Sequence, residues 1–194
     1  MTITISGVIL AGGKARRMQG QDKGLVSFQG KPMITHCLAR LLPQVSMVSI
    51  NANRNHEKYV TYDVPVFADD LPDFQGPLSG MLTALKRART DYVLFVPCDN
   101  PFLSEHLCSR LLQAVQQHNT QLAYANDGER DHPTFCLMSR QLVADLEEYL
   151  AKGQRRILTF MQQQGGIAVD FSDEKNAFQN FNTLDDVRTM EENA

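Results

Sequence analysis

The 194-residue sequence has no tryptophan, few cysteines and no excess of positive charge. Cys37, Cys98, Cys108 and Cys136 lie far apart and form no C-x-x-C pair, which argues against a zinc site and gives no disulfide framework. The net charge of −3 implies no domain-wide basic surface, so nucleic acid is not the expected main partner. No apolar run approaches the roughly 20 residues that span a bilayer, so we expect no membrane segment.

The first residues carry no targeting signal. Residues 1–6 have neither a basic segment nor a small-residue cleavage site, so they are interpreted as the start of a strand. With the sparse cysteines, this predicts a cytoplasmic protein. A length of 194 residues with 43% hydrophobic content allows one substantial core, so we expect a single domain over residues 1–194. The chain is expected to be a monomer.

Short apolar segments alternate with helical patterns along the chain. Strands are predicted at residues 3–10, 45–50, 65–67, 92–96, 122–125, 134–138 and 167–170. Helices are predicted at residues 33–42, 55–59, 78–87, 105–117, 141–150, 156–163 and 184–192. This alternation favours an α/β fold with a doubly wound, mostly parallel, Rossmann-like sheet that has helices on both faces. The polar residues 127–131 are predicted to turn between two strands of a hairpin. Ligands bind such sheets beyond the carboxyl ends of the strands.

A glycine-containing basic loop follows the first predicted strand. Gly12 and Gly13 have no Cβ, so backbone N–H groups can close on a bulky anion there. Arg16, Arg17 and Lys23 in this loop supply cations that suit a triphosphate. Its spacing fits neither a Walker loop nor a dinucleotide-binding fingerprint. The string resembles the signature loop of pyrophosphorylase-type nucleotidyltransferases, which transfer a nucleoside monophosphate from an NTP to a phosphate acceptor.

Asp99 closes the strand pattern of residues 92–96 and precedes Asn100 and Pro101. A carboxylate at a strand end suits Mg²⁺, which takes hard oxygen ligands and keeps several waters while it is bound to substrate phosphates. Aspartate is also common in turns and at helix caps, so a local role is the alternative.

Asn51, Asp69 and residues 76–80 follow other predicted strands. Amide and carboxylate side chains there can bind the edge of a base or a ribose hydroxyl. Pro77 predicts the start of a helix, whose N-terminal dipole favours a polar ligand. The alternative for Asp69 and Asp70 is an ordinary solvated loop.

Further motifs make the resemblance specific. In order, the sequence contains LAGG at 10–13, RM at 17–18, DK at 22–23, NANR at 51–54, Asp69, GPL at 76–78, PCD at 97–99, DHPT at 131–134, Arg156 and NFNT at 180–183. Together they resemble the molybdenum cofactor guanylyltransferase family, from residue 5 to nearly the end of the chain. The resemblance implies transfer of GMP from Mg-GTP to the terminal phosphate of Mo-molybdopterin, which forms the guanine dinucleotide cofactor and releases pyrophosphate.

The resemblance also implies residue roles. The implied nucleotide-binding residues are Leu10, Ala11, Gly12, Gly13, Lys23, Asn51, Asp69 and Asp99. The implied catalytic residues are Lys23, Arg17 and Asp99, and Asp99 would also hold Mg²⁺. The implied acceptor-binding residues are Arg156, Asn180 and Asn182. Residues 1–126 would then mainly bind the nucleotide and residues 127–194 the acceptor. The implied partners are GTP, Mo-molybdopterin and, transiently, other proteins of molybdenum cofactor biosynthesis or acceptor proteins.

Several alternatives remain open at the level of sequence. The chain could be a cytidylyl- or sugar-phosphate nucleotidyltransferase, or a silent nucleotide-binding module, although a silent module needs neither the cations nor Asp99. Lys23 could be an exposed lysine paired with Asp22. His132 could be a packed histidine, and Arg156 could start a solvated helix. Asn182 could cap the last helix, with Thr183 as the competing cap.

Overall fold

The computed structural model describes residues 1–13, 20–72 and 76–194. Its main sheet has seven strands: β1 (Ile5–Leu10), β4 (Val48–Asn51), β5 (Val66–Phe67), β6 (Tyr92–Pro97), β7 (Leu122–Asn126), β8 (Asp131–Ser139) and β9 (Ile167–Asp170). A separate small hairpin consists of β2 (Ser27–Phe28) and β3 (Lys31–Pro32). The strand order in the main sheet is β5-β4-β1-β6-β8-β7-β9. Strand β8 is antiparallel to both neighbours and the other pairs are parallel, so the predicted mostly parallel sheet is confirmed.

The α-helices lie close to their predicted positions. They are α1 (Met33–Leu41), α2 (His56–Tyr59), α3 (Pro77–Arg87), α4 (Leu107–His118), α5 (Val143–Ala151), α6 (Ile157–Gln163) and α7 (Leu184–Asn193). Short 3₁₀ helices cover Lys23–Leu25, Leu42–Gln44, Val60–Tyr62, Arg140–Leu142 and Ser172–Phe178. Each predicted helix is confirmed to within two residues at either end.

Alternating side chains of the central strands build two cores, one on each face of the sheet. In β6, Leu94 and Val96 pack with residues of α1 and α4 on one face. Val93 and Phe95 pack with residues of α3, α5 and α6 on the other. Successive residues of a strand point to opposite faces, so an unbroken apolar run is what a doubly covered strand requires. The predicted doubly wound architecture is therefore confirmed.

The predicted late hairpin is formed by β7 and β8, which pair antiparallel across residues 127–130. Strand β8 is longer than the predicted segment because it continues through Pro133, a residue that cannot donate to a strand ladder. A bulge accommodates the proline: Tyr124 pairs with Cys136, whereas the next residue, Ala125, pairs with His132. The intervening residues leave the regular ladder, and Thr134 is among them.

All four cysteines are free and buried. Burial raises the pKa of the Cys108 thiol to about 11. In the described parts of the chain, no helix combines the length and the apolar character needed to cross a membrane.

Candidate functional site

Two adjoining cavities lie at the carboxyl ends of β1, β4 and β6. The first, of about 240 Å³, is lined by Leu10, Gly12, Gly13, Asn51, Asp69, Gly76, Pro77, Pro97 and Thr134. The second, of about 270 Å³, is lined by Leu10, Ala11, Gly13, Asp22, Lys23, Cys98 and Asp99. The cavities share Leu10 and Gly13. All eight residues predicted to bind the nucleotide line one cavity or both.

A buried polar pair forms one wall of the first cavity. Asn51 ends β4 and is only 2% exposed, and its Nδ2 donates a hydrogen bond of 2.8 Å to Asp69 Oδ1. This bond fixes the orientation of both side chains, because a buried amide is held by the partner it satisfies. The alternative of an unattached solvated loop is therefore wrong for Asp69, whose carboxylate is tied to the end of a buried strand.

Asn53 joins the glycine loop to Asp69. Its Nδ2 donates to the carbonyl of Gly12 at 3.2 Å, and its Oδ1 accepts a hydrogen bond of 2.8 Å from the backbone N–H of Asp69. The guanidinium of Arg54 donates to the carbonyl of Gly13 at 3.3 Å. The NANR motif thus positions the glycine loop relative to Asp69. Our residue assignments from the sequence did not include Asn53 or Arg54, although the motif that contains them was the available signal.

Two glycines permit the close packing of this wall. A Cβ on Gly12 would lie 2.9 Å from Asn53 Nδ2 and 3.1 Å from Asn51 Oδ1. A Cβ on Gly80, in the first turns of α3, would lie 2.3 Å from Asn51 Oδ1 and 3.2 Å from Asp69 Oδ1. Any larger residue at either position would have to displace a polar group of the cavity wall.

Lys23 and Asp99 form an ion pair in the second cavity. Lys23 Nζ lies 3.3 Å from Asp99 Oδ2, with the side chains 34% and 11% exposed. The alternative pairing of Lys23 with Asp22 is wrong, because Asp22 is buried and its Oδ2 accepts a hydrogen bond of 3.3 Å from Asn55. Asp99 does not cap the following helix either, since α4 begins only at Leu107.

The surroundings of Asp99 are mostly buried. Cys98 is 6% exposed, and burial, followed by the nearby Asp99 carboxylate, raises the pKa of its thiol well above the usual value. Cys98 therefore stays a protonated packing residue, as predicted. On the other side, Asn100 is 2% exposed, and its Nδ2 donates to the carbonyl of Ala177 at 3.1 Å and to that of Gln179 at 3.3 Å. These bonds tie the Asp99 turn to a segment near the end of the chain.

The chemistry of Asp99 fits a single-carboxylate magnesium site. Within residues 1–13, 20–72 and 76–194, no group of three or more His, Cys, Asp or Glu side chains is arranged to share a metal ion. Mg²⁺ uses one or two carboxylates and completes its coordination with water and substrate phosphates, so it needs no larger cluster. Asp99 offers such a hard oxygen ligand in a cavity that also contains a cation.

The predicted acceptor residues do not lie together. Asn180 and Asn182 line a third cavity of about 420 Å³, which does not include Arg156. Arg156 is an exposed residue at the start of α6, where its carbonyl accepts a hydrogen bond of 2.8 Å from the Tyr149 hydroxyl. Thr183, and not Asn182, caps α7 through a capping box with Asp186. Arg17 lies outside the described residues.

His132 is a packed residue, in agreement with the alternative considered above. It is 6% exposed, stacks on Phe178 with ring centroids 5.0 Å apart, and its Nε2 lies 2.6 Å from Asp127 Oδ2. Burial acts to raise the pKa of Asp127, but hydrogen bonds from His132 and from the N–H groups of residues 129 and 130 hold that pKa well below its usual value. The Asp127–His132 pair is therefore a structural contact of the turn between β7 and β8.

Comparison with known proteins agrees with this geometry. Residues 7–166 match the family model described as the MobA-like NTP transferase domain. A molybdenum cofactor guanylyltransferase of Haemophilus influenzae is 57% identical over 97% of this chain and 98% of its own length. One from Pasteurella multocida is 59% identical over 97% of this chain and 100% of its own. The crystal structure of molybdopterin-guanine dinucleotide biosynthesis protein A from Archaeoglobus fulgidus superposes with a TM-score of 0.81 at 20% identity, covering 96% of this chain and 97% of that one.

Proposed function

The chain belongs to the molybdenum cofactor guanylyltransferase family, and we propose that its two adjoining cavities bind Mg-GTP for transfer of GMP to the terminal phosphate of Mo-molybdopterin. The chain is a nucleotidyltransferase. The observation that carries the assignment of the cavities is the Lys23–Asp99 pair, which lies beside the glycine loop and next to the Asn51–Asp69 wall. A cation and a carboxylate beside a glycine loop at one sheet edge suit a magnesium-bound triphosphate.

The first cavity is suited to the nucleoside. Asn51 and Asp69 supply amide and carboxylate groups whose hydrogen bond to each other fixes their positions. Leu10 and Pro77 add apolar surface, so a planar base can be bound by contact and oriented by polar groups. A site built this way rejects a base that leaves its buried polar groups unpaired.

The second cavity is suited to the triphosphate. Lys23 brings an ammonium to the phosphates, and its pairing with Asp99 holds it in place before the substrate arrives. We propose that Asp99 also binds Mg²⁺, and the bound ion would neutralise charge on the triphosphate. Arg17 is proposed as a further cation.

The reaction needs little covalent participation by the protein. An oxygen of the acceptor phosphate attacks the α-phosphorus of GTP, the bond from that phosphorus to the bridging oxygen breaks, and pyrophosphate leaves. The attacking oxygen is already anionic, so no general base is required. Lys23 stabilises the charge that develops on the departing pyrophosphate, which lowers the barrier more than it strengthens ground-state binding.

The remaining proposals concern the division of the chain and its setting. Residues 1–126 mainly bind the nucleotide and residues 127–194 mainly the acceptor, through Asn180, Asn182 and Arg156, although Thr134 also lines the nucleoside cavity. The chain is proposed to be a monomer. A location in the cytoplasm fits its four free, buried cysteines. Transient contact with other proteins of the cofactor pathway, or with the acceptor proteins, would deliver the product.

Base selectivity tests this function directly. Calorimetry with GTP, ATP, CTP and UTP in the presence of Mg²⁺ should give the lowest Kd for GTP, and pyrophosphate release with molybdopterin should require GTP. A preference for CTP would favour the alternative cytidylyltransferase. Equal affinities for all four nucleotides would contradict the assignment of the Asn51–Asp69 wall to base recognition and leave the fold unaffected.

A further inference from the structure

The third cavity combines amide side chains with one cation. Its polar lining consists of Arg130, Gln179, Asn180, Asn182, Asp186, Thr189 and Asn193. Amide groups both donate and accept hydrogen bonds, which suits the mixed edge of a pterin ring. The Asp186 carboxylate is already engaged, because its Oδ2 accepts hydrogen bonds from the N–H groups of Asn182 at 2.9 Å and Thr183 at 2.8 Å. Asp186 stays a charged carboxylate with one oxygen occupied, and Arg130 is the cation among the lining residues.

The backbone of Arg130 is rigidly positioned. Asp127 Oδ1 accepts hydrogen bonds of 2.9 Å from the N–H groups of both Glu129 and Arg130, and the Arg130 carbonyl accepts one of 3.1 Å from the Asp127 N–H. The Arg130 side chain is 66% exposed, and its Nε forms a long ion pair with Asp127 Oδ2 at 4.0 Å, while the other guanidinium nitrogens make no hydrogen bond to the described residues. Its N–H groups thus remain available to a ligand.

The turn that carries Arg130 is fastened to the segment that leads to Asn180. Lys175 Nζ lies 2.8 Å from Glu129 Oε1, and the His132 ring stacks on Phe178 at 5.0 Å. Two contacts thus connect the turn that carries Arg130 to the segment that leads to Asn180. The buried ring contact is the stronger constraint, because the ion pair is exposed.

The same segment is connected to the proposed magnesium site. Asn100, the residue after Asp99, donates to the carbonyls of Ala177 and Gln179 at 3.1 and 3.3 Å. Gln179 lines the third cavity, so this cavity lies next to the turn that bears Asp99. An acceptor bound in this cavity would therefore lie beside the turn that bears Asp99.

We propose that Arg130 is an acceptor-binding residue, whose guanidinium binds the anionic phosphate end of molybdopterin while the neighbouring amides contact the pterin ring. This inference rests on the proposed function, because it takes molybdopterin as the acceptor. A guanidinium suits the site because its planar donors match two phosphate oxygens at once. Arg156, which lines another part of the surface, does not supply this charge to the cavity.

The test compares Arg130→Ala and Arg130→Lys with Arg188→Ala. Arg188 is a matched control, because it is an exposed arginine on α7 that pairs with Asp185 at 3.8 Å and does not line the third cavity. Quenching of pterin fluorescence measures the Kd of molybdopterin, and calorimetry measures the Kd of Mg-GTP. Steady-state assays then separate the KM for molybdopterin from kcat, and thermal unfolding checks that each variant is folded.

We expect Arg130→Ala to raise the Kd of molybdopterin about 10- to 100-fold, the effect of losing one charge-assisted contact. The Kd of Mg-GTP should change by less than about twofold, and Arg130→Lys should restore part of the affinity because it keeps the charge without the planar donors. The Kd of molybdopterin should also depend less on salt in Arg130→Ala than in the wild type. Arg188→Ala should behave as wild type.

Three outcomes would overturn the inference, and they can be told apart. If wild-type protein binds molybdopterin and folded Arg130→Ala binds it equally well, the role of Arg130 is wrong and the proposed function stands. If wild-type protein binds no molybdopterin, the proposed function fails and the inference fails with it. Equal losses of GTP and molybdopterin affinity in Arg130→Ala would also overturn it, because they would assign the guanidinium to the nucleotide.

Discussion

The substitution Gly80→Ala adds a single methyl group against the Asn51–Asp69 wall and so tests its proposed role in binding the nucleoside. The added Cβ would lie 2.3 Å from Asn51 Oδ1 and 2.9 Å from Asn51 Cγ, distances at which something must move. Asn51 is 2% exposed and hydrogen-bonded to Asp69, so it cannot rotate away without breaking that bond of 2.8 Å. We expect the methyl group to displace the amide and to disturb both polar groups of the wall.

Two opposing effects set the change in stability. Alanine favours a helix over glycine by about 1 kcal/mol, and overpacking a buried site costs roughly 1–3 kcal/mol. The free energy of unfolding should therefore fall by only about 0–2 kcal/mol. Misplacing the two polar groups should cost about 1.5–3 kcal/mol of nucleotide binding, which raises the Kd of GTP roughly 10- to 100-fold.

Calorimetry with Mg-GTP and a thermal unfolding curve measure the two quantities. The adjacent Ser79→Ala is the control, because the buried Ser79 hydroxyl has no hydrogen-bond partner among the described residues and its removal should cost little. A Kd for GTP in Gly80→Ala within about twofold of the wild-type value would refute the assignment of Asn51 and Asp69 to the nucleoside. A comparable loss in Ser79→Ala would show that any change at the start of α3 disturbs the site.

Three further substitutions test other parts of the molecule. Lys23→Ala should lower kcat by about a hundredfold or more with a smaller change in the Kd of GTP, and unchanged steady-state rates would remove Lys23 from catalysis. Asp99→Asn keeps the side-chain shape and removes the charge, so Mg²⁺-dependent turnover should collapse. The Tm should shift by only a few degrees, because a partly exposed ion pair contributes about 0–1 kcal/mol. Wild-type activity in this variant would place the metal elsewhere. Thr183→Ala removes the capping box of α7 and should cost about 1 kcal/mol in denaturant unfolding without changing the Kd of GTP; an unchanged midpoint would mean that the helix end is held by other contacts.

Sequence periodicity was sufficient to predict the sheet and its helices, because each central strand is covered on both faces. A strand such as β6 then contains an unbroken apolar run, and its flanking helices have one apolar stripe each. The hairpin of β2 and β3 was not predicted, since two residues per strand are too few to show a period. The passage of β8 through Pro133 was also missed, because the bulge that accommodates the proline is defined only by pairing with β7.

The location of the site followed from the order of the strands, but its contacts did not. Leu10, Asn51 and Asp99 each lie at or just beyond the carboxyl end of a strand, and neighbouring parallel strands bring such residues together. Which charges pair is a different question. Lys23 could pair with Asp22 or with Asp99. The choice depends on the 3₁₀ turn at Lys23–Leu25 and on the hydrogen bond that Asn55, 33 positions further along the chain, donates to Asp22.

The geometry of the proposed acceptor cavity depends even more on contacts between residues far apart in the sequence. Asn100 connects the Asp99 turn to the carbonyls of Ala177 and Gln179, at sequence separations of 77 and 79 residues. In-line transfer requires the acceptor oxygen and the α-phosphorus to be held within about 0.5 Å of their productive geometry. A flexible connection between the third cavity and the nucleotide cavities would therefore lower the rate. A buried amide that donates to two carbonyls is a stiff connection, because moving either segment leaves a polar group unsatisfied. On the proposed assignment of the cavities, the fold would therefore set the placement of acceptor and nucleotide relative to each other before either substrate binds.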